Sequence, residues 1–196
     1  MTHSRERIDS FVNLAGPRYY TYNELIPEAQ RHLTINNHGY NIFQINSRFD
    51  EKISNCTSEK KRQRLLKLRD KEKEEFEKRN LCKIETREDV ALESGKGLVK
   101  IIDNGAIIYY SPQDKYNELV RHLIVTHEIG HIFLHPNEAR EKRITQEMED
   151  EANYYASEVT KKWHDNYSPE NTTFRFSYTQ IRNAILQIDP KYKQPK

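Results

Sequence analysis

Cysteine is scarce in this sequence: Cys56 and Cys82 are the only two among 196 residues. They are too far apart for a C-x-x-C zinc pair and too few for a disulfide framework, so we expect two reduced thiols. A disulfide-stapled fold and a cysteine-based zinc pair are both excluded.

Long apolar runs are absent as well. No stretch approaches the roughly 18 consecutive apolar residues that a membrane-spanning helix needs. Residues 1–9 are polar and lack the apolar centre of a signal peptide. We therefore expect a cytoplasmic protein without a membrane partner.

The chain also lacks a strong excess of either charge, because 32 Lys and Arg residues face 30 Asp and Glu residues. No global basic field indicates a nucleic-acid partner. The most charged stretch, about residues 58–79, predicts a helix with favourable pairs such as Glu74 with Lys78. No aromatic residue interleaves its basic half for base stacking, so we interpret it as a solvated helical arm and do not expect direct nucleic-acid binding.

The most informative pattern is H-E-x-x-H at His127-Glu128-Ile129-Gly130-His131. On a helix, residues four apart project from one face at adjacent turns, so one metal ion can be held by His127 and His131. Glu128 points to the side of this pair, where it can act as a general base on a water molecule. The motif predicts a zinc-dependent peptidase.

The alternative is that these polar residues occur by chance on an ordinary exposed helix. Their neighbours argue against it, because the segment is apolar nearly all the way round and therefore predicts a buried helix. The apolar residues are Leu123, Ile124, Val125, Ile129, Ile132, Phe133 and Leu134. Buried His and Glu side chains without partners would each cost several kcal/mol, and a bound metal compensates them most simply.

Local sequence features predict the strands before the motif and the start and end of its helix. Residues 98–102 and 106–111 predict two strands, joined by an Asn-Gly pair that favours a type I′ hairpin, and the second strand could align an extended substrate by edge pairing. Ser111 and Pro112 predict a helix start. Pro136 predicts that the helix ends at His135. Farther upstream we expect short helices, a turn at residues 36–39 and a strand over residues 40–45.

His135 follows His131 by one helical turn but is not expected to be a ligand. It lies about 12 Å along the axis from His127, too far for one ion to bridge all three histidines. A role in supporting a ligand or ending the helix fits better. The metzincin pattern is excluded because Leu134 and Asn137 stand where it requires Gly and His.

A catalytic zinc site needs three protein ligands, and the acidic segment at residues 146–156 can supply the third. Thr145 can cap a helix there, and the dipole of that helix alone could explain why carboxylates occur in its first turn. Glu149, Ala152, Asn153 and Ala156 form one face, on which the two alanines permit close helix packing. Glu149 is therefore the predicted third ligand and Asn153 the predicted partner of a ligand histidine, with Glu151 or Glu147 as alternatives.

These residues resemble the ImmA/IrrE metallopeptidases, a gluzincin-type family. The resemblance rests on residues 121–135, with x-x-L-H after H-E-x-x-H, on residues 105–110, and on Glu149-x-Glu151-Ala152-Asn153-x-x-Ala156. It implies that His127, His131 and Glu149 bind zinc and that Glu128 is the catalytic base. It also implies cleavage, at one site, of an intracellular protein such as a repressor of a mobile element or stress operon.

Together these features predict an α+β fold with a zincin-like core, in which a small sheet packs on the motif helix beside a second ligand-bearing helix. We expect a helical region at residues 1–92, the metallopeptidase core at 93–165 and an extension with a short helix and polar tail at 166–196. The alternative function is a zinc-containing regulatory protein of the same fold that cleaves nothing. The intact Glu128 favours the enzyme, because a purely structural site would not need it.

Overall fold

The computed structural model describes residues 5–14, 22–166 and 176–194. Within these ranges the chain forms seven α-helices and a three-stranded sheet, which confirms the predicted α+β class. In chain order they are α1 (Arg5–Leu14), α2 (Tyr22–Ser54), α3 (Glu59–Arg79), β1 (Lys83–Glu88), β2 (Gly97–Ile102), β3 (Gly105–Tyr110), α4 (Glu118–Leu134), α5 (Pro136–Arg140), α6 (Gln146–Asn166) and α7 (Tyr178–Ile188). No helix in the described part of the chain is long and apolar enough to cross a membrane.

The sheet has the strand order β1-β3-β2, with β3 parallel to β1 and antiparallel to β2. β3 is therefore paired on both sides, and the expectation that it aligns a substrate along a free edge is wrong. Among the described strands β2 is the edge strand on the side of the motif helix. β1 lies inside the region predicted to be helical, where its largely charged sequence gives no strand signal.

The hairpin of β2 and β3 is confirmed, with Ile102 paired to Gly105 across Asp103 and Asn104. The type I′ geometry is wrong, because neither of these two turn residues has a positive φ. Gly105 is instead needed where β1 passes: a Cβ added there would lie 1.9 Å from the carbonyl oxygen of Lys83. The glycine therefore permits the parallel pairing of β1 with β3.

The motif helix is entered in two steps. Ser111 begins a short 3-10 turn at Pro112–Tyr116, in which its hydroxyl accepts a hydrogen bond from the Gln113 amide. α4 then starts anew at Asn117, whose side chain accepts from the Val120 amide at 3.2 Å. The expected continuous helix is thus broken, because an asparagine side chain satisfies the first free amides of a helix better than it tolerates the interior. The predicted end at His135 is confirmed.

The expected turn at residues 36–39 and strand at 40–45 are wrong, because α2 runs unbroken from Tyr22 to Ser54. Its inward-facing residues recur at helical spacing, and the stabilisation from burying them outweighs the turn preference of the Asn-rich stretch. They are Leu25, Ala29, Leu33, Thr34, Ile42 and Phe49. The predicted charged helical arm is confirmed as α3, which has no fully buried residue and packs antiparallel to α2 through ion pairs such as Arg69–Asp50 at 3.2 Å.

α4 is the centre of the fold. Nearly every residue from Leu119 to Leu134 is buried, as its apolar sequence predicts. Helices α2, α6 and α7 and the strands β2 and β3 pack around it. Its Ile129 and Ile132 share one core with Ile8 of α1 and Leu25 of α2, so the N-terminal helices and the motif helix are packed together.

Candidate metal centre

The structure brings the three predicted ligands together. His127 and His131 come from adjacent turns of α4 and Glu149 from the first turn of α6, and their ligand atoms all lie within 4.8 Å of one another. The Nε2 atoms of the two histidines are 3.1 Å apart. Oε2 of Glu149 lies 3.0 Å from Nε2 of His127 and 3.6 Å from Nε2 of His131. These three side chains form a possible metal-binding triad.

No protein-family model, no curated protein and no solved structure matches this chain. The function must therefore be inferred from the geometry and chemistry of the site itself.

Small residues let α6 approach α4 closely enough to complete the triad. Gly130 lies between the two histidines, and a Cβ added there would lie 3.1 Å from Tyr155 and 3.4 Å from the Cα of Ala152. Thr145 helps to start α6, because its hydroxyl accepts from the Met148 amide at 3.4 Å. The predicted packing face of α6 therefore contacts the motif helix and presents Glu149 to the histidines.

The electrostatics of the triad keep the carboxylate ionised and one imidazole neutral. Burial raises the pKa of Glu149, but the close approach of His127 and His131 outweighs it and holds that pKa well below its ordinary value. Burial lowers the pKa of His131 to about 4, against the opposing effect of Glu149. At neutral pH His131 therefore has a nitrogen lone pair free for a metal.

Glu128 lies beside the triad and faces the edge strand. It is 5% exposed, and its carboxylate accepts a hydrogen bond from the backbone N–H of Val99 in β2. Burial raises its pKa to about 7, with the charge of His127 lowering it and that of Glu149 raising it further. A carboxyl group with this pKa suits proton transfer near neutral pH.

Gly97 makes room for this carboxylate. A Cβ at position 97 would lie 2.6 Å from Oε1 of Glu128 and 2.6 Å from Cγ2 of Ile124. Sequence reasoning missed both Gly97 and Val99, because nothing in the strand pattern indicates which strand passes the motif helix.

The three candidate third ligands lie in different surroundings. Glu151 is buried and points to His135 instead, with Oε2 of Glu151 3.1 Å from Nε2 of His135. Glu147 is exposed on the first turn of α6 and is not in the triad. Among the described residues Glu149 is the carboxylate that meets both histidines.

His135 has the supporting position expected of it. It ends α4 and is fully buried, and its ring centroid lies 5.8 Å from that of His131. Its contact with Glu151 joins the end of α4 to α6 two residues beyond Glu149. The pair therefore fixes α4 and α6 against each other.

Asn153 also has its predicted partner, since its Oδ1 lies 2.9 Å from Nδ1 of His127. Its Nδ2 donates to Oδ2 of Asp189 at 2.9 Å. Asp189 directly follows α7, and sequence reasoning missed it because a single aspartate in a polar tail carries no spacing signal.

A cleft of about 740 Å³ opens onto the triad. β2 lines one wall with residues 97–101, and Ala139 to Ile144 and the end of α7 line the others. Lys96, Lys100, Arg140 and Lys142 lie around it, whereas Glu128 and Glu149 lie at the triad. The cleft thus follows an edge strand whose outer backbone groups can pair with an extended chain.

Proposed function

We propose that this chain is a zinc-dependent endopeptidase with a zincin-like core. The observation that carries the proposal is the convergence of His127, His131 and Glu149 beside the buried carboxylate of Glu128. Two histidines and a glutamate are the donor set of catalytic zinc sites, in which a fourth position stays open. The residues present therefore fit this metal.

In the proposed reaction a bound zinc ion supplies Lewis-acid chemistry, which polarises a carbonyl and acidifies water. Glu128 takes a proton from the attacking water and passes it to the leaving amine. Asn153 orients His127, and the edge of β2 aligns an extended peptide in the cleft. Each of these roles uses a contact or a free edge described above.

The resemblance to ImmA/IrrE peptidases supports an intracellular protein substrate, such as a transcriptional repressor cut at one site. We propose that the substrate binds as an extended segment, because the cleft is bounded by a strand edge on one side and residues 139–144 on the other.

The decisive comparison is wild type against Glu128→Gln, both loaded with one equivalent of zinc. Each is incubated with a proteome-derived peptide library, and new N-termini are identified by mass spectrometry. We expect both proteins to bind zinc and only wild type to produce new termini. Cleavage by both proteins would refute the role of Glu128, and zinc-loaded wild type that cleaves nothing would favour the non-proteolytic alternative.

The metal site is tested separately with His131→Ala, by elemental analysis after dialysis. We expect the zinc stoichiometry to fall from one to near zero. An unchanged stoichiometry would refute the triad as the binding site.

A further inference from the structure

Asp189 is joined to a metal-ligand histidine through one amide. Oδ1 of Asn153 lies 2.9 Å from Nδ1 of His127, and Nδ2 of Asn153 donates to Oδ2 of Asp189 at 2.9 Å. We propose that Asp189 is a positioning residue that determines which nitrogen of His127 carries hydrogen, and thereby makes Nε2 available to a metal. This inference rests on the zinc site of the proposed function.

The donors and acceptors of Asp189 and Asn153 determine where His127 carries its hydrogen. The oxygen and the NH2 group of an asparagine are nearly alike in shape, so the amide can face its neighbours in either of two ways. Both oxygens of the Asp189 carboxylate accept hydrogen bonds here, so Asp189 requires the NH2 group of Asn153 on its side. The oxygen of Asn153 then faces His127, and since this oxygen also only accepts, Nδ1 of His127 must carry the hydrogen.

A neutral imidazole with hydrogen on Nδ1 has a lone pair on Nε2. This is the atom that faces the rest of the triad, 3.1 Å from Nε2 of His131 and 3.0 Å from Oε2 of Glu149. If the amide of Asn153 turned round, its NH2 group would favour the other tautomer, whose Nε2–H cannot bind a metal. The apparent affinity for the metal falls with the fraction of protein in the competent form.

Asp189 is itself held in place. Its Oδ2 also accepts from Nε2 of Gln146 at 3.2 Å, and its Oδ1 accepts from the Lys191 amide at 3.0 Å. The same segment is held to α6 a second time, where Oδ1 of Asp150 accepts from the Lys193 amide at 3.0 Å. Asp150 therefore provides a matched control, since its carboxylate shares the Gln146 amide with Asp189, at 3.4 Å, but does not contact Asn153.

The first measurement is zinc affinity, obtained by competition with a chromogenic chelator. Asp189→Ala should weaken zinc binding about tenfold, the lower end of the range for partners of ligand histidines. Asp150→Ala should leave zinc affinity within about twofold, because the orientation of Asn153 does not depend on it. Equal affinities for wild type and Asp189→Ala would overturn the proposal, as would an equally large effect of Asp150→Ala.

An exchange of the two side chains tests the polarity of the hydrogen bonds. Asn153→Asp alone puts two carboxylates in contact and should weaken zinc binding. Combined with Asp189→Asn, the carboxylate at position 153 accepts from both His127 and the new amide, so the double variant should regain most of the affinity. A double variant that binds zinc no more tightly than Asn153→Asp alone would overturn the proposal. This comparison does not use Asp189→Ala, so it still applies if that variant fails to fold.

The second measurement is nitrogen-15 NMR at pH 9 of metal-free protein that carries Glu149→Ala, because the Glu149 carboxylate, 3.0 Å from Nε2 of His127, would itself favour hydrogen on that atom. We expect Nδ1–H when Asp189 is present and a shift toward Nε2–H when Asp189→Ala is added; the same tautomer in both would refute the inference. The expected tautomers, together with a wild type that binds no zinc, would refute the proposed function alone. The two failures are therefore distinguishable.

Discussion

Gly97→Ala should separate the chemistry of this site from its metal binding. The new methyl group would lie 2.6 Å from Oε1 of Glu128 and from Cγ2 of Ile124, whereas ordinary contacts begin near 3.4 Å. About 0.8 Å of movement is therefore needed. The Glu128 carboxylate can yield because it ends a flexible side chain, but the β-branched Ile124 is stiffer.

The effects on stability and catalysis should differ. Overpacking against Ile124 should cost about 1–2 kcal/mol of unfolding free energy. Displacement of the proposed general base by nearly 1 Å should lower kcat on the order of 10- to 100-fold. Zinc affinity should stay within a few-fold, because Glu128 is not in the triad.

The assay is cleavage of the fastest peptide found with zinc-loaded wild type, alongside urea unfolding and chelator competition. Gly39→Ala is the matched control, since nothing lies within 4 Å of a Cβ at that position in α2. It should stabilise the protein by up to about 1 kcal/mol and leave kcat unchanged. A Gly97→Ala protein that binds zinc and cleaves as fast as wild type would refute the assigned position of Glu128.

Three further predictions follow from the site and the core. Glu149→Ala should weaken zinc binding on the order of 100-fold, which removes about 2.7 kcal/mol of the stabilisation that zinc gives the folded protein. Glu147→Ala should leave zinc binding unchanged. Thermal melts with and without zinc test both. Burial, with a smaller effect of Arg121, lowers the pKa of His122 to about 3. Below pH 6.5 the unfolded chain therefore binds a proton at His122 that the folded chain does not. Between pH 7 and pH 5 the unfolding free energy of wild type, measured by urea titration, should fall by about 2 kcal/mol more than that of His122→Gln. An equal fall in both proteins would contradict this. Gly105→Ala should destabilise the fold by on the order of 4 kcal/mol, because β1 can no longer pair with β3; near wild-type unfolding would be the contrary result.

Sequence reasoning succeeded where neighbours along the chain decide the structure. The positions of His127 and His131 follow from helical spacing, and the end of α4 follows from Pro136. The position of Glu149 and Asn153 beside these histidines was also predicted, because small residues on the same helical face indicated close packing.

Features that depend on contacts between distant segments could not be predicted from the sequence. The Asn-rich stretch of α2 stays helical because Ile42 and Phe49 are buried on the same helix. β1 becomes a strand because it pairs with β3, and Asp189 reaches the site only through the packing of α7. These outcomes depend on contacts between residues far apart in sequence, which no local pattern records.

The central burial of α4 has a consequence for how such a protein can diverge. A substitution on this helix disturbs the core and the candidate metal ligands together. Leu98 and Lys100 of β2 are exposed around the cleft and can change at little cost to folding. If the chain is the proposed peptidase, new substrate preferences would therefore arise through these positions, while the helix that carries His127, Glu128 and His131 stays fixed.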